Sequence, residues 1–156
     1  MDAAKIVSKI SKEHGIIKNV YFLACGGSLV DLYPGYYFVR AESAVMDAQW
    51  IPAREFALTP PKKLGKDSLL IICSHSGKTK ECLEAAKVGM DAGAAVVTMT
   101  HAPGSPCDCE EWISVVYDWA PGVKEAQKPQ GIVLGILNEL MKAQEPGYAL
   151  YHSIKE

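Results

Sequence analysis

Two continuous apolar runs, each breaking into a Gly/Ser-rich loop that opens a helical pattern, constrain this chain more than any other feature. Val20-Tyr21-Phe22-Leu23-Ala24 breaks at Cys25-Gly26-Gly27-Ser28, and Leu69-Leu70-Ile71-Ile72-Cys73 breaks at Ser74-His75-Ser76-Gly77-Lys78-Thr79. Apolar runs without alternation suit strands covered on both faces, as in parallel sheets flanked by helices. Such sheets bind ligands beyond the carboxyl ends of their strands, where the strand order reverses. If the order is 2-1-3-4-5, the two loops lie side by side at that reversal.

The rest of the chain fits the same plan. Residues 2–13 carry Ile6, Val7 and Ile10 on one helical face, with Gly15 as the stop. A helical segment runs from Ser28 to about residue 42, a second strand spans 44–50, and residues 52–58 form a short helical turn cut off by Pro60-Pro61. A helix leads from the second loop to about Asp91, with Gly93 as its stop. Residues 95–99 and 112–117 read as the fourth and fifth strands, separated by a Pro- and Gly-containing loop at 101–108. Residues 124–143 read as a last helix, weakened by Gly131 and Gly135. Strands alternating with helices imply right-handed crossovers. The expected fold is a three-layer αβα sandwich around a five-stranded parallel sheet.

Composition excludes several classes of function. The chain has 156 residues, 49% hydrophobic and 22% charged, which fits one globular domain with a substantial core. Sixteen basic and eighteen acidic side chains give a net charge of −2, and no run of like charge exceeds two residues. That balance offers no polyanion-binding face, so nucleic acid is not an expected partner. Lys5, Ser8, Lys9 and Lys12 interrupt any amino-terminal apolar region, so no signal peptide opens the chain. The apolar stretches are also too short to span a bilayer. A cytoplasmic domain, with no membrane partner, is expected. Five cysteines stand at 25, 73, 82, 107 and 109, an odd number in a chain too large to need a disulfide framework. Cys107-Asp108-Cys109 near His101 lacks the spacing of a zinc site, so neither a metal nor another cofactor is expected.

The loops point to phosphate. Helix N-termini present unpaired amides and a partial positive charge. Ser74, Ser76 and Thr79 can aim hydroxyls at separate phosphoryl oxygens, while Gly77 lets the backbone approach closely. Ser28 holds the equivalent place after Gly26-Gly27. The competing reading makes Ser28 and Ser76 simple helix caps. Nucleotide motifs fail: a Walker loop ending at Gly77-Lys78-Thr79 needs glycine at 72, where Ile72 stands, and no GxGxxG follows Gly26. A phosphorylated metabolite fits better.

The stretch from Val20 to Ser28, the Arg54-Glu55-Phe56 segment and the Ser-x-Ser-Gly-x-Thr loop at 74–79 resemble the sugar isomerase (SIS) domain family over nearly the whole chain. Within it, the chain looks most like the amino-terminal half of the fructosamine-6-phosphate deglycases. It is also similar to the isomerase domains of glucosamine-6-phosphate synthase, which use glutamine where His75 stands. The resemblance implies dimerisation and a sugar phosphate, or sugar–amine conjugate, held by Gly26, Gly27, Ser28, Ser74, His75, Ser76 and Thr79. Relatives of that type carry two SIS domains, with the catalytic glutamate and histidine in the second. Residues 1–156 are therefore expected to be one SIS domain, the first half of a two-domain protein ending near Tyr151–Glu156.

Within the chain, acid–base candidates are Glu55 and His75, since moving a proton beside a carbonyl or imine carbon calls for such groups. Glu55 could equally serve the amides of its own helix. His14, His101 and His152 read as surface or loop residues, and Lys78 either adds charge to the phosphate pocket or is solvated. Two rivals stand beside the half-enzyme. One is a stand-alone phosphosugar isomerase using Glu55 or His75. The other is a sugar-phosphate-sensing module, disfavoured by the lack of a helix-turn-helix pattern or basic face. Leu32, Tyr33, Tyr36, Tyr37, Phe38 and Trp50 exceed the apolar surface that one buried helix face needs, which also predicts a homodimer.

Overall fold

The computed structural model describes residues 2–148. Its first helix, α1 (Ala3–His14), opens where the Asp2 carboxylate accepts the Lys5 N–H, and closes at Gly15 with φ 69°. The strands are β1 (Asn19–Ala24), β2 (Asp47–Pro52), β3 (Ser68–Cys73), β4 (Ala95–Thr100) and β5 (Ile113–Val116). Between them run α2 (Gly27–Glu42), α3 (Ala53–Leu58) and α4 (Lys80–Asp91), and α5 (Pro129–Gln144) closes the described chain. All four strand pairings are parallel, in the order β2-β1-β3-β4-β5.

Each face of the sheet has its own core because successive side chains on a strand point to opposite sides. Val20, Phe22 and Ala24 of β1 join Leu69, Ile71 and Cys73 of β3 in a cluster closed by α1, α2 and α5. Tyr21 and Leu23 join Leu70 and Ile72 in a second cluster, closed by Phe56 of α3 and by Cys82, Ala85 and Ala86 of α4. The three central strands β1, β3 and β4 are buried along their whole length. This is the expected sandwich. Among the described residues no helix is long and apolar enough to cross a membrane.

Two element boundaries differ from the sequence reading by three residues or more. The second strand starts at Asp47 rather than Ala44, because Ser43 Oγ accepts the N–H groups of Val45 and Met46 and so turns the chain there. The Glu145 carboxylate fixes that turn by accepting from Ser43 Oγ and from the Ala44 N–H. The last helix is also interrupted. A 3₁₀ turn spans Glu125–Gln127, and α5 begins at Pro129, whose missing N–H suits a first-turn position. Gly131 is no weakness here. A Cβ on it would lie 2.0 Å from the Glu125 carbonyl oxygen, so glycine lets the 3₁₀ turn fold back onto the helix.

Candidate functional site

The register that pairs Ala24 with Cys73 puts the ends of β1 and β3 side by side. Their loops therefore leave the sheet at one edge, at the point where the order reverses. The Cys73 thiol, at the end of β3, lies near enough to the Ser28 hydroxyl of the first loop for the two to interact. Burial, with the Asp31 charge adding to it, pushes that thiol up to about 12, while the Ser28 and Tyr117 hydroxyls pull it down. Cys73 is thus a neutral packing group.

Neither serine caps its helix. The N-cap of α2 is Gly26, at φ 58°, and that of α4 is Thr79, and neither helix start receives a side-chain cap. Both N-termini consequently keep amide donors and a partial positive charge at the shared edge. The hydroxyls are otherwise engaged. Ser74, only 2% exposed, shares a 2.8 Å hydrogen bond with Thr79 across the turn. Ser76 is exposed, and its Oγ accepts the Lys78 N–H. Gly26 and Gly27 are exposed, Ser28 is half-buried, and Lys78 is exposed.

The turn at 74–79 is braced from the neighbouring strand. The Ser74 N–H donates to Met99 O, and both the His101 N–H and the Thr100 hydroxyl donate to His75 O. The Cys107 N–H donates to Gly77 O. The end of β4 and the loop after it therefore hold three of the turn's carbonyl and amide groups. Within that loop, Asp108 accepts from the Gly104 N–H and from Ser114 Oγ, contacts that lower its carboxyl below the ordinary range. Asp108 so serves as the brace of its own loop.

His75 projects from the turn. Its Nδ1 lies 2.8 Å from the Tyr117 hydroxyl, and its ring stacks on His101 at 5.0 Å. His101, read from sequence as a plain loop residue, is exposed but fixed, with Nδ1 on Tyr117 O. His14 lies away from this edge, its Nδ1 on Lys66 O, and His152 falls outside the described residues. Glu55 is exposed near the start of α3 and makes no side-chain hydrogen bond or ion pair among the described residues, so the structure does not join it to either loop. One acid escaped the sequence reading. Asp31, on the second turn of α2, is half-buried, accepts from Gln130 Nε2, and lies close enough to His75 for their charges to interact. Burial raises its carboxyl above the ordinary value, and His75 partly offsets that. Only the tertiary approach of α2 to α5 and to the second loop marks it out.

The parallel sheet, with two serine-bearing loops at its switch point, has the sugar isomerase (SIS) fold, and the chain is similar in sequence and structure to phosphosugar isomerases and deglycases. It is 36% identical over 121 residues to the fructosamine deglycase FrlB of Bacillus subtilis, a match covering 78% of this chain and 37% of the deglycase. Over 145 residues it is 32% identical to the isomerizing glutamine–fructose-6-phosphate aminotransferase of Clostridium tetani, covering 89% of this chain and 23% of that enzyme. Among solved structures, a candidate phosphosugar isomerase from Salmonella typhimurium superimposes with a TM-score of 0.89 at 35% identity, over 96% of this chain and 45% of that one. The chain thus spans less than half the length of each of these three proteins. No protein-family model matches it.

Proposed function

We propose that this chain binds a phosphorylated sugar or sugar–amine conjugate, with the phosphoryl group on the 74–79 turn and Gly26, Gly27 and Ser28 closing over it from β1. The observation that carries the reading is the meeting of two uncapped helix N-termini at one sheet edge, with Ser28, Ser74, Ser76 and Thr79 around them. Amide donors and a helix dipole favour an anion there. Ser76 is the most accessible hydroxyl, and Ser74 and Thr79, now bonded to each other, would each turn toward a phosphoryl oxygen. His75, one residue from two of these hydroxyls, would contact the sugar beyond its phosphate. The sugar–amine class rests on the name of the Bacillus subtilis relative, a fructosamine deglycase.

In this reading the chain is the first of two SIS domains in a deglycase or isomerase, and the decisive glutamate and histidine belong to the second. A homodimer is part of the same proposal. Its support is an aromatic surface on α2 and β2, where Tyr33, Tyr37 and Trp50 are 42%, 59% and 37% exposed beside a groove of about 400 Å³. Leu32 and Phe38, counted toward that surface from sequence, are buried and belong to the core. A cytoplasmic setting is supported by the five free cysteines, which suit a reducing compartment.

Turnover separates this reading from the stand-alone isomerase. The purified chain should bind fructose-6-phosphate while neither isomerising it nor releasing amine from fructosamine-6-phosphates. Appreciable turnover lost in Glu55→Gln or His75→Asn would replace the half-enzyme with a single-domain isomerase.

A further inference from the structure

The loops leaving β3, β4 and β5 bring four rings together just outside the phosphate turn. His75 and His101 stack with centroids 5.0 Å apart and planes 15° from parallel. Trp119 meets His75 edge-on at 5.6 Å and Tyr117 at 6.2 Å. Tyr117 is buried and acts as the mount, since its hydroxyl lies on His75 Nδ1 and its carbonyl on His101 Nδ1. The other three rings are exposed, Trp119 by 50%. A carbonyl can only accept, so His101 Nδ1 carries a proton, and in the neutral ring its Nε2 is left as an acceptor. Among the described residues neither histidine's Nε2 has a partner.

Packing alone does not call for this arrangement, because three rings are spent on solvent-exposed surface. They are nevertheless held. Thr100 and His101 pin the His75 carbonyl, and Asp118 Oδ1 accepts from the N–H groups of Trp119 and Ala120. Rigid aromatic surface beside an anion site is preorganised for the remainder of the same ligand. Aromatic faces, Trp best of all, attract cations.

We propose that His75, His101 and Trp119 form a second subsite, receiving the protonated amine end of a sugar–amine phosphate whose phosphoryl group sits on the 74–79 turn. The indole face meets the ammonium, and His101 Nε2 accepts one of its protons. A plain sugar phosphate has no such cation, so the shelf selects the conjugate over the free sugar phosphate. This rests on the phosphate reading above and adds what lies at the other end of the ligand.

Calorimetric titration with fructose-6-phosphate and with the fructosamine-6-phosphate of butylamine tests it. Wild type should prefer the amine conjugate by about fivefold, the size of an exposed cation–π contact. Trp119→Ala should lose that preference while fructose-6-phosphate affinity stays unchanged, and Trp119→Phe should keep most of it. An unchanged preference in Trp119→Ala, or equal losses for both ligands, would overturn the subsite while leaving the phosphate reading intact. No binding of fructose-6-phosphate by wild type would overturn that reading, and the subsite with it.

Discussion

Ser105 occupies the space that a side chain at residue 77 would need: a Cβ on Gly77 would lie 1.9 Å from Ser105 Oγ and 2.8 Å from Thr100 Oγ1. Gly77 also holds φ at 68°, in the left-handed region. The loop after β4 therefore fits the 74–79 turn as a mould fits a cast.

Gly77→Ala should accordingly be costly twice over. The left-handed backbone costs about 1–2 kcal/mol for a residue with a Cβ, and overpacking against Ser105 adds about 1–3 kcal/mol. Thermal melts of Gly77→Ala, Ser105→Gly and the double variant separate the two costs. The double variant should recover the part of the overpacking due to Ser105, with the Thr100 contact and the backbone cost remaining. A Gly77→Ala melt matching wild type would contradict the close fit.

Gly131 makes a similar prediction far from the site. A Cβ there would meet the Glu125 carbonyl, a backbone atom that cannot rotate away. Gly131→Ala should destabilise by about 1–3 kcal/mol, although alanine is the better helix former, and Gly135→Ala, with open space around it, should be neutral or stabilising. Paired denaturant melts decide this, and equal behaviour of the two variants would refute it.

The contrast between these glycines shows where sequence reasoning reached and where it stopped. The sheet order was legible because the runs at 20–24 and 69–73 are apolar without alternation and both end in Gly/Ser loops. The candidate phosphate turn was legible because its hydroxyls lie within six consecutive residues. Gly131 looked like a helix breaker, since nothing local records that a 3₁₀ turn folds back onto it. Strand β2 was placed too early because Ala44-Val45-Met46 continues the strand's apolar character, and only Ser43 and the distant Glu145 turn them into a loop. Asp31 and His101 were passed over for the same reason. Their surroundings are assembled from α5, β3 and β5, and no spacing within the chain encodes that meeting.

Asp31 gives a pH-dependent prediction. Its folded-state carboxyl is raised by burial, so the unfolded chain loses that proton first as pH climbs. Stability then falls as pH rises from the ordinary Asp value through the raised one, and is level on either side. Asn mimics the protonated form and keeps an oxygen for Gln130 Nε2. Asp31→Asn should therefore raise Tm at about pH 7 and match wild type at about pH 3, below both values. A lower Tm at neutral pH would show that the charged carboxylate stabilises the fold.

The central claim is that the paired loops hold a phosphoryl group, and calorimetry of wild type against Ser76→Ala with fructose-6-phosphate tests it most directly. Ser76 is exposed, so its truncation removes one hydroxyl with little effect on folding. A charge-assisted hydrogen bond contributes about 1.5–3 kcal/mol, so affinity should fall by about ten- to a hundredfold, and unphosphorylated fructose should bind neither protein. Identical titrations of the two proteins, or fructose binding as well as its phosphate, would contradict the account.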